Sequence, residues 1–406
     1  MRAGYSGVII LVIIIRNVSV YKPDPVGIKD VLVLGDKIAA IEDKIDIDFN
    51  GLVEVKEIDG TGKILVPGFI DCHVHILGGG GEGGFATRTP EATLSDLTRA
   101  GVTTVVGTLG TDGIARDINA LLAKARGLEE EGITTFIYTG SYRLPLRTLT
   151  GDIMKDIMSI DKIIGIGEIA ISDHRSGQPS FEEFSKAVAD ARVAGMLSGK
   201  AGIVNVHLGD GPRKLELINR VVEETEIPVT QFLPTHINRS EELFEEGIKF
   251  AKGGGCIDFT ASEDPDFWEE EDGEVRFSKG LKRLLNEGVS LDNFTLSSDG
   301  QGSLPLFNEK KEFIGLGVGK STSLIIGIKE CVFRENIPLE IAIRAVTTNP
   351  AKILKLRGKG KIEKNFDADL SLLDKDTLDI DTVIAKGKVM VQNKEIKVYG
   401  TFEERR

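Results

Sequence analysis

The most constraining feature of the sequence is a repeated alternation of apolar and amphipathic segments between residues 65 and 350. Each unit has an apolar run, then a glycine-rich or polar loop, then a segment with helical periodicity. Strands that alternate with helices run parallel and are joined by right-handed crossovers. Eight such units favour a closed (β/α)8 barrel of the TIM type over an open sheet. The eight predicted barrel strands are 64–70, 102–107, 134–139, 163–169, 203–206, 229–234, 256–260 and 294–297.

Both ends of the chain read differently, as short strands broken by Gly, Pro and Asp-rich turns. The predicted strands are 8–15, 30–34, 38–41 and 52–58 before the barrel, and 368–373, 382–385, 388–391 and 395–398 after it. We therefore predict an α/β protein with two domains. Residues 1–66 and 350–406 would form a small β-sandwich domain, and residues 67–349 the barrel. The acidic stretch 268–274 is expected to be a solvated loop.

Composition excludes several classes of function. The 406 residues carry 50 Lys and Arg against 63 Asp and Glu, a net charge of −13, which argues against binding to nucleic-acid phosphates. Cys72, Cys256 and Cys331 are too few and too scattered for a disulfide framework, which favours a reducing compartment. The apolar run 7–15 is too short to span a bilayer. We expect a cytoplasmic protein with no membrane or nucleic-acid partner.

Two histidines stand at the end of the first predicted barrel strand, in the segment FIDCHVH. Residues at positions i and i+2 of a strand point the same way, so His73 and His75 emerge together. Active sites of barrels lie at the carboxyl ends of the strands. The pair therefore predicts a functional site rather than two surface histidines.

Three further polar residues close other predicted strands: His207, His236 and Asp299. Each of them alone is compatible with a structural role. Together with His73 and His75, they place four of the five histidines and one aspartate at one end of the barrel. Imidazole and carboxylate are the ligands that divalent metals such as zinc prefer. The pattern predicts a metal site.

This ligand pattern in a barrel resembles the amidohydrolase superfamily, and longer motifs resemble one of its families, the β-aspartyl (isoaspartyl) dipeptidases. The motifs are PGFIDCHVHILGGGGEGG at 67–84, TRTPE at 87–91, SDHRS at 172–176, PTHINR at 234–239 and SSDGQGS at 297–303. The similarity extends along nearly the whole chain. It implies a metal-dependent hydrolase of β-aspartyl dipeptides.

The resemblance also implies two divalent ions, with zinc as the expected metal. His73, His75 and Asp299 would hold the first ion, and His207 and His236 the second. A carboxylate and a hydroxide would bridge the ions, which would lower the pKa of that water and polarise the scissile carbonyl. Asp299 would take the proton of the hydroxide nucleophile and pass it to the departing amine.

One position departs from the family. The bridge there is usually a carboxylated lysine, but this chain has no lysine between Lys162 and Lys186, and Glu168 stands where that lysine is expected. A glutamate supplies the same two oxygens on a shorter side chain, so its backbone must lie closer to the metals. Gly165 and Gly167 could permit that approach. The alternative is that Glu168 only pairs with a cation and that one ion alone binds tightly.

The resemblance places charged groups where a β-aspartyl dipeptide has charges of the opposite sign. Arg175 and Arg239, helped by Ser303, would bind the two carboxylates, because a guanidinium binds a carboxylate with two hydrogen bonds. Glu82, in the glycine loop, would accept the α-ammonium group.

Four further residues complete this set. Tyr142 would donate to the carbonyl oxygen as negative charge builds there. Thr111 and Gly80 would add hydroxyl or backbone contacts. His174, the fifth histidine, is assigned no metal and is expected to have a structural role or to support the ligands.

Three classes of function stay open at this point. The first is the β-aspartyl dipeptidase, and the second is a cyclic-amide hydrolase or N-acyl deacetylase of the same superfamily. Glu82 and the two arginines count against the second. The third is a scaffold that has lost catalysis, for which the exchange at Glu168 is the only sign. The resemblance implies a small dipeptide as the substrate. It also implies that the chain forms a homo-oligomer, an octamer.

Two glycine motifs are weighed as nucleotide or phosphate sites. The run 165–170 fits a dinucleotide fingerprint only loosely, because no helix start follows it. The run 78–84 lacks the Lys-Ser/Thr pair of a phosphate-binding loop. Neither predicts a nucleotide site.

Overall fold

The computed structural model describes residues 12–49, 53–308 and 313–404. The strands, numbered along the chain, are β1 Val12–Tyr21, β2 Pro25–Leu34, β3 Lys37–Glu42, β4 Val55–Asp59, β5 Lys63–Pro67, β6 Phe69–Val74, β7 Val102–Gly107, β8 Thr134–Thr139, β9 Ile163–Ile171, β10 Ile203–Leu208, β11 Phe232–Thr235, β12 Ile257–Thr260, β13 Phe294–Ser297, β14 Ser303–Phe307, β15 Phe313–Val318, β16 Leu370–Asp374, β17 Ile380–Ala385, β18 Lys388–Gln392 and β19 Glu395–Ile396. The first part of the predicted strand 8–15 and the start of 52–58 lie outside the described residues.

Most of the helices have buried apolar residues on one face, and six begin at a polar side-chain cap. They are α1 Leu94–Thr98, α2 Ile118–Glu131, α3 Ile153–Ser159, α4 Phe181–Ser198, α5 Glu216–Glu224, α6 Glu241–Lys252, α7 Pro265–Asp272, α8 Phe277–Asn286, α9 Ser323–Phe333, α10 Leu339–Ala342 and α11 Thr348–Ile353. Short 3-10 turns lie at Phe85–Thr87, Val229–Gln231 and Ile343–Val346. Side chains accept backbone N–H groups at the starts of six helices: Thr93, Asp117, Asp152, Ser180, Ser240 and Asp264.

Both ends of the chain build one mostly-strand domain. Nine strands form a sheet in the order β19-β18-β17-β16-β5-β1-β2-β3, with β4 beside β1. The antiparallel pair β5 and β16 joins the two ends of the chain. The Ala368 N–H donates to Asp36 O at 2.8 Å, and the Ile38 N–H donates to Phe366 O at 2.9 Å. The separate strand domain is thus confirmed, while its two-sheet sandwich form and the boundaries at 66 and 350 stay predictions.

The middle of the chain holds eight parallel strands in the predicted order. Strands β6 to β11 form one curled sheet, and β12 pairs with β13. Within the described residues the ladder is interrupted between β11 and β12 and between β13 and β6, where one parallel bridge joins Val74 to Gly300. The arrangement is consistent with a TIM-type barrel, but hydrogen bonds do not close it into the predicted complete cylinder.

A buried carboxylate spans the gap between the first and last of these strands. Asp71 Oδ1 accepts the Ser298 N–H at 3.1 Å, and its Oδ2 accepts the hydroxyls of Ser298 and Ser321. Burial raises the pKa of Asp71 to about 6, although these hydrogen bonds act in the opposite direction. Asp71 therefore replaces missing ladder bonds at this seam.

Three predicted elements differ from the structure. In the predicted strand 229–234, residues 229–231 form a 3-10 turn and β11 begins only at Phe232. The predicted strand 64–70 is two strands: β5 belongs to the strand domain, and β6 begins the barrel after Gly68. A Cβ at Gly68 would lie 2.3 Å from Thr103 Oγ1, so the chain passes there only because residue 68 has no side chain. Most of the predicted acidic loop 268–274 lies in helix α7, which Asp264 caps and which has Pro265 in its first turn.

The core fills the barrel and the space around it. One cluster takes one or two buried side chains from each of β6 to β11 and closes with residues after α11: Ile70, Cys72, Val106, Tyr138, Ile164, Ile203, Leu233, Cys256, Leu354 and Leu356. A larger cluster packs between strands and helices. Among the described helices, none has the length and apolar character needed to cross a bilayer.

Candidate metal centre and substrate site

The structure brings together all six side chains that the sequence analysis assigns to the metals. They come from five strands or the residues that directly follow them, and they meet toward the carboxyl ends of the parallel strands. They are buried apart from a small exposed fraction of the aspartate: His73, His75, Glu168, His207, His236 and Asp299.

The first group of ligand atoms lies around the Glu168 carboxylate, with one histidine near each of its oxygens. His75 Nε2 lies 3.5 Å from Glu168 Oε1 and 3.1 Å from Asp299 Oδ1. His73 Nε2 lies 3.4 Å from Glu168 Oε2 and 3.6 Å from Asp299 Oδ1. Two imidazoles and two carboxylates therefore face one small space.

The second group meets Oε2 of the same glutamate, the oxygen that His73 also approaches. His207 Nδ1 lies 3.1 Å from Glu168 Oε2, and His236 Nε2 lies 3.9 Å from it. The two imidazole rings are 4.6 Å apart, edge to face. Glu168 is thus shared between both groups, as a bridging ligand would be.

Glycines bring the Glu168 backbone close to the neighbouring strand. A Cβ at Gly165 would lie 2.3 Å from Ile203 O. A Cβ at Gly167, where φ is +148°, would lie 2.8 Å from Asn205 O. Strand β9 therefore approaches β10 more closely than a side chain would allow. The shorter glutamate side chain reaches both histidine groups from this backbone.

Polar side chains orient two of the histidines. His73 Nδ1 lies 3.1 Å from the amide oxygen of Asn205, so Nδ1 carries the hydrogen and Nε2 is left for a ligand. His236 Nδ1 lies 2.6 Å from Thr260 Oγ1, and its Nε2 likewise faces Glu168. Sequence reasoning missed both partners. Asn205 was detectable, because it stands two residues before His207 on the same strand.

The electrostatics of this centre favour a bound cation. Burial would raise the pKa of Glu168, but the charge of His73 and the adjacent imidazoles of His207 and His236 bring it well below its ordinary value. Burial lowers the pKa of His236 to about 3, which leaves that imidazole neutral and able to bind a metal. For His73, burial acts to lower the pKa, yet the charge of Glu168 raises it to about 10.

The residues fit two divalent ions. Within the described residues, His73 Nε2 and Glu168 Oε1 are buried without a hydrogen-bond partner, which is unusual for buried polar atoms. Two groups have ligand atoms within 4.8 Å of one another: His73, His75 and Glu168, and Glu168, His207 and His236. Imidazole nitrogen and carboxylate oxygen form the donor set that zinc accepts.

Removing divalent ions should lower the thermal stability of the protein. An ion that binds only the folded state stabilises it by about 4 kcal/mol when its free concentration is about 1,000 times its Kd. We expect dialysis against a chelator to lower Tm by several degrees and added zinc to restore it. An unchanged Tm in calorimetry, with metal loss verified by elemental analysis, would contradict a centre built for ions.

The predicted substrate residues lie next to the metal ligands. Arg175 Nε and NH2 donate to Asp173 Oδ1 and Oδ2 at 3.0 and 2.7 Å. Its NH1 lies 3.4 Å from Glu82 Oε1, which also accepts the Thr111 hydroxyl at 2.7 Å. Asp173 Oδ2 is in turn 3.0 Å from His207 Nε2. Glu82, Thr111 and Arg175 are therefore connected to a metal ligand through Asp173, which sequence reasoning missed.

Tyr142 lies against the second group of ligands. Its hydroxyl is 3.0 Å from His207 Nδ1, and the Arg175 guanidinium carbon lies 5.5 Å from the centre of its ring. Burial raises the pKa of Tyr142 well above its ordinary value. The phenol therefore stays protonated and can donate a hydrogen bond.

The remaining predicted residues are spread around the centre. Gly80 lies against Ser303, because a Cβ at Gly80 would be 3.0 Å from Ser303 Cβ. Arg239 is partly exposed, with NH1 3.5 Å from Asp210 Oδ1. The His174 side chain is 90% exposed, so it stands apart from the buried ligands.

A further residue that sequence reasoning missed, Arg116, supports the glycine loop. Arg116 is buried and donates to three backbone carbonyls, Leu77 O at 2.9 Å, Gly79 O at 3.0 Å and Thr89 O at 2.7 Å. The Thr89 hydroxyl donates to Gln301 O at 2.6 Å. Loops that follow the first and last barrel strands are thereby joined. Nothing in the local sequence distinguishes Arg116 from a surface arginine.

The fold and the site together define a hydrolase of the amidohydrolase type, whose convergent histidine and glutamate side chains could hold divalent metal. The family model described as "Amidohydrolase family" matches residues 64–390, which include all six ligand residues. The chain therefore belongs to the amidohydrolase family, as its motifs indicated, and is a hydrolase.

Solved structures narrow the relationship. The chain is 48% identical to a β-aspartyl dipeptidase of the thermophilic, keratin-degrading Fervidobacterium islandicum AW-1, crystallised with a β-Asp-Leu dipeptide. The match covers 97% of this chain and 99% of that one, with a TM-score of 0.88. A second crystal structure of that dipeptidase matches at 46% identity, over 97% and 100% of the two chains, with a TM-score of 0.86. These matches confirm the resemblance to the β-aspartyl dipeptidases.

More distant relatives catalyse other hydrolyses. A deacetylase of Brucella anthropi is 24% identical over 357 residues, 85% of this chain and 80% of its own length. The family thus contains proteins with different substrates, and the residues around the metals must decide between them.

Proposed function

We propose that this protein is a β-aspartyl dipeptidase that uses two divalent metal ions to hydrolyse the isoaspartyl amide bond. The observation that carries the proposal is the position of two groups of potential metal ligands, which share Glu168, next to the charged pair Glu82 and Arg175. The β-Asp-Leu dipeptide bound by a relative of 48% identity supports the same substrate.

The charges of the site match those of the proposed substrate. A β-aspartyl dipeptide carries one ammonium group and two carboxylates around its amide bond. Glu82 offers a carboxylate for the ammonium, and Arg175 and Arg239 offer guanidinium groups for the carboxylates. The Glu82 and Arg175 side chains lie 3.4 Å apart, so the ammonium and carboxylate of one α-carbon would bind between them. Gly80, Thr111 and Ser303 stay proposed as further contacts.

The chain's own residues would supply proton transfer and charge stabilisation. Two bound ions would lower the pKa of a water molecule and polarise the scissile carbonyl. Asp299 would accept the proton of the attacking water and donate it to the departing amine nitrogen. Burial would raise the pKa of Asp299, but the hydrogen bond from His75 and nearby imidazole charge hold it below its usual range, so it is ionised and ready to accept. Tyr142 would donate its hydroxyl hydrogen to the carbonyl oxygen as charge develops.

Several finer statements belong to the same proposal. Zinc as the resident metal, the bridging role of Glu168, a homo-octamer and a cytoplasmic location stay proposals from the sequence pattern and the family resemblance.

The decisive experiment compares two isomeric dipeptides. We expect kcat/KM for β-Asp-Leu to exceed that for α-Asp-Leu by at least about 100-fold, since a site built to pair particular polar groups discriminates strongly against an analogue that misplaces them. Amine release followed by ninhydrin or coupled oxidation gives both rates. Equal cleavage of the two, or cleavage of neither with two ions bound, would contradict the proposal.

A third substrate tests the alternative function. N-acetyl-β-Asp-Leu lacks the ammonium group that Glu82 is proposed to bind, so we expect it to be a poor substrate. Release of acetate from it, or ring opening of a hydantoin or dihydropyrimidine at a higher kcat/KM than β-Asp-Leu cleavage, would instead favour a deacetylase or cyclic-amide hydrolase.

A further inference from the structure

Asp173 stands between the metal ligands and the proposed substrate residues. Its side chain is 3% exposed, and both of its oxygens are engaged. Oδ2 lies 3.0 Å from His207 Nε2 and 2.7 Å from Arg175 NH2, while Oδ1 accepts Arg175 Nε at 3.0 Å and the Arg175 backbone N–H at 2.7 Å.

The first consequence concerns His207. A carboxylate that pairs with a guanidinium through both oxygens accepts hydrogen bonds, so His207 Nε2 carries the hydrogen in its contact with Asp173. The lone pair is then on Nδ1, the nitrogen that lies 3.1 Å from Glu168 Oε2 and 3.0 Å from the Tyr142 hydroxyl. A carboxylate behind a metal-binding histidine sets its tautomer and ring orientation in this way.

The second consequence concerns Arg175. Asp173 takes Nε and NH2 of the guanidinium in a paired contact, which fixes the plane of the group. NH1 then projects toward Glu82 Oε1 at 3.4 Å. The part of Arg175 that remains for a substrate carboxylate is therefore aimed by Asp173.

The backbone of Asp173 is itself tightly held. A Cβ at Gly209 would lie 2.5 Å from Asp173 Cβ, and a Cβ at Gly211 would lie 2.6 Å from Ser172 O. The Gly211 N–H donates to Ser172 O at 2.6 Å. His207 lies in β10, and the loop that follows this strand thus packs directly onto the segment that contains Asp173.

We propose that Asp173 is a positioning residue that couples the metal centre to the substrate site, by fixing the tautomer of His207 and the orientation of Arg175 at the same time. The His207 part needs only a metal centre, whereas the Arg175 part rests on the proposed dipeptidase function. Asp173 itself touches neither the ions nor the substrate.

The first arm of the test measures zinc binding without substrate. Asp173→Asn presents one acceptor instead of two oxygens and can turn its amide hydrogens toward His207, which favours the wrong tautomer. We expect affinity for one of two zinc ions to fall by about 10 to 100-fold, the range found when the partner of a metal-binding histidine is removed. The other ion, held by His73 and His75, keeps its affinity. Competition with a chromogenic chelator gives both constants.

The second arm measures kinetics with saturating zinc, and Arg175→Met is the matched control. This control removes the guanidinium but leaves Asp173 on His207. We expect Arg175→Met to raise KM for β-Asp-Leu by about 100-fold, because the substrate carboxylate loses its charged partner. The affinities for both zinc ions should stay unchanged. Asp173→Asn should raise KM as well, and the double variant should show less than the product of the two single effects.

The possible results either support or contradict the positioning role of Asp173. Selective loss of one ion together with the KM rise supports the proposal. Two ions bound at wild-type affinity in Asp173→Asn, or equal weakening of both ions with a lowered Tm, overturns it. Should that variant fail to fold, Asp173→Ser is judged by the same measurements. A wild-type protein that binds two zinc ions but leaves β-Asp-Leu intact contradicts the dipeptidase function, while the zinc arm still decides the role toward His207.

Discussion

Replacing Glu168 by alanine is expected to reduce kcat for β-Asp-Leu by about 10³-fold or more and to lower the bound metal from two ions to one or fewer. The centre has no other carboxylate that contacts both histidine groups, among the residues described. Losing the second ion forfeits several kcal/mol of charge stabilisation in the transition state, and each 1.36 kcal/mol is a factor of about ten in rate. Turnover with saturating zinc, and metal content after gel filtration, measure the two effects.

Two variants control for other causes. Glu168→Gln keeps the size of the side chain and loses its charge, so it should also lose an ion if charge is what the ions require. Glu330→Gln alters another buried glutamate, one that pairs with Arg276 outside the site, and should keep two ions and near wild-type turnover. An unchanged number of bound metal ions and an unchanged kcat in Glu168→Ala would show that Glu168 does not bridge two ions and that its charge is not needed to bind them.

Asp299→Asn is expected to lower kcat by about 10³-fold while retaining much of the bound metal. A general acid or base contributes about 10² to 10⁴-fold. The amide keeps an oxygen at the position that lies 3.1 Å from His75 Nε2, but it cannot accept and return a proton. The substitution should change KM little, because it affects the chemical step and not substrate binding. Pre-steady-state kinetics separate these two effects.

Asp299→Ala is the control for this variant. It removes the predicted ligand oxygen as well as the base and should lower both kcat and the metal content. If Asp299→Asn keeps kcat within tenfold of wild type, another group moves the proton, and Asp299 is only a ligand.

Much of the architecture was readable from local patterns. The alternation of apolar runs and amphipathic segments predicted eight parallel strands in order, and the positions of His73, His75, His207, His236 and Asp299 at strand ends predicted that they converge. Such inferences succeed because strand and helix periods are properties of neighbouring residues, and because the carboxyl ends of parallel strands share one edge of a sheet.

Other features depended on contacts between distant segments. The break at Gly68 arises because Thr103 occupies the space beside it, and the interrupted ladder next to β6 is spanned by Asp71 and Ser298. The supporting role of Arg116 depends on carbonyls up to 39 residues away. No local period marks positions of this kind.

The sequence by itself determined the class of fold, the side chains that converge in the candidate metal centre and the family to which the chain belongs, because these are encoded in short-range periodicity and in contiguous motifs. Only the tertiary structure decided that one glutamate is shared by both histidine groups, that Asp173 connects His207 to Arg175, and that His236 and Asp299 take left-handed backbone conformations with φ of 60° and 48°. Those features depend on strand register, close glycine packing and the direction in which each side chain leaves its strand. They are set by the whole fold, since a displacement of one residue would separate the atoms concerned.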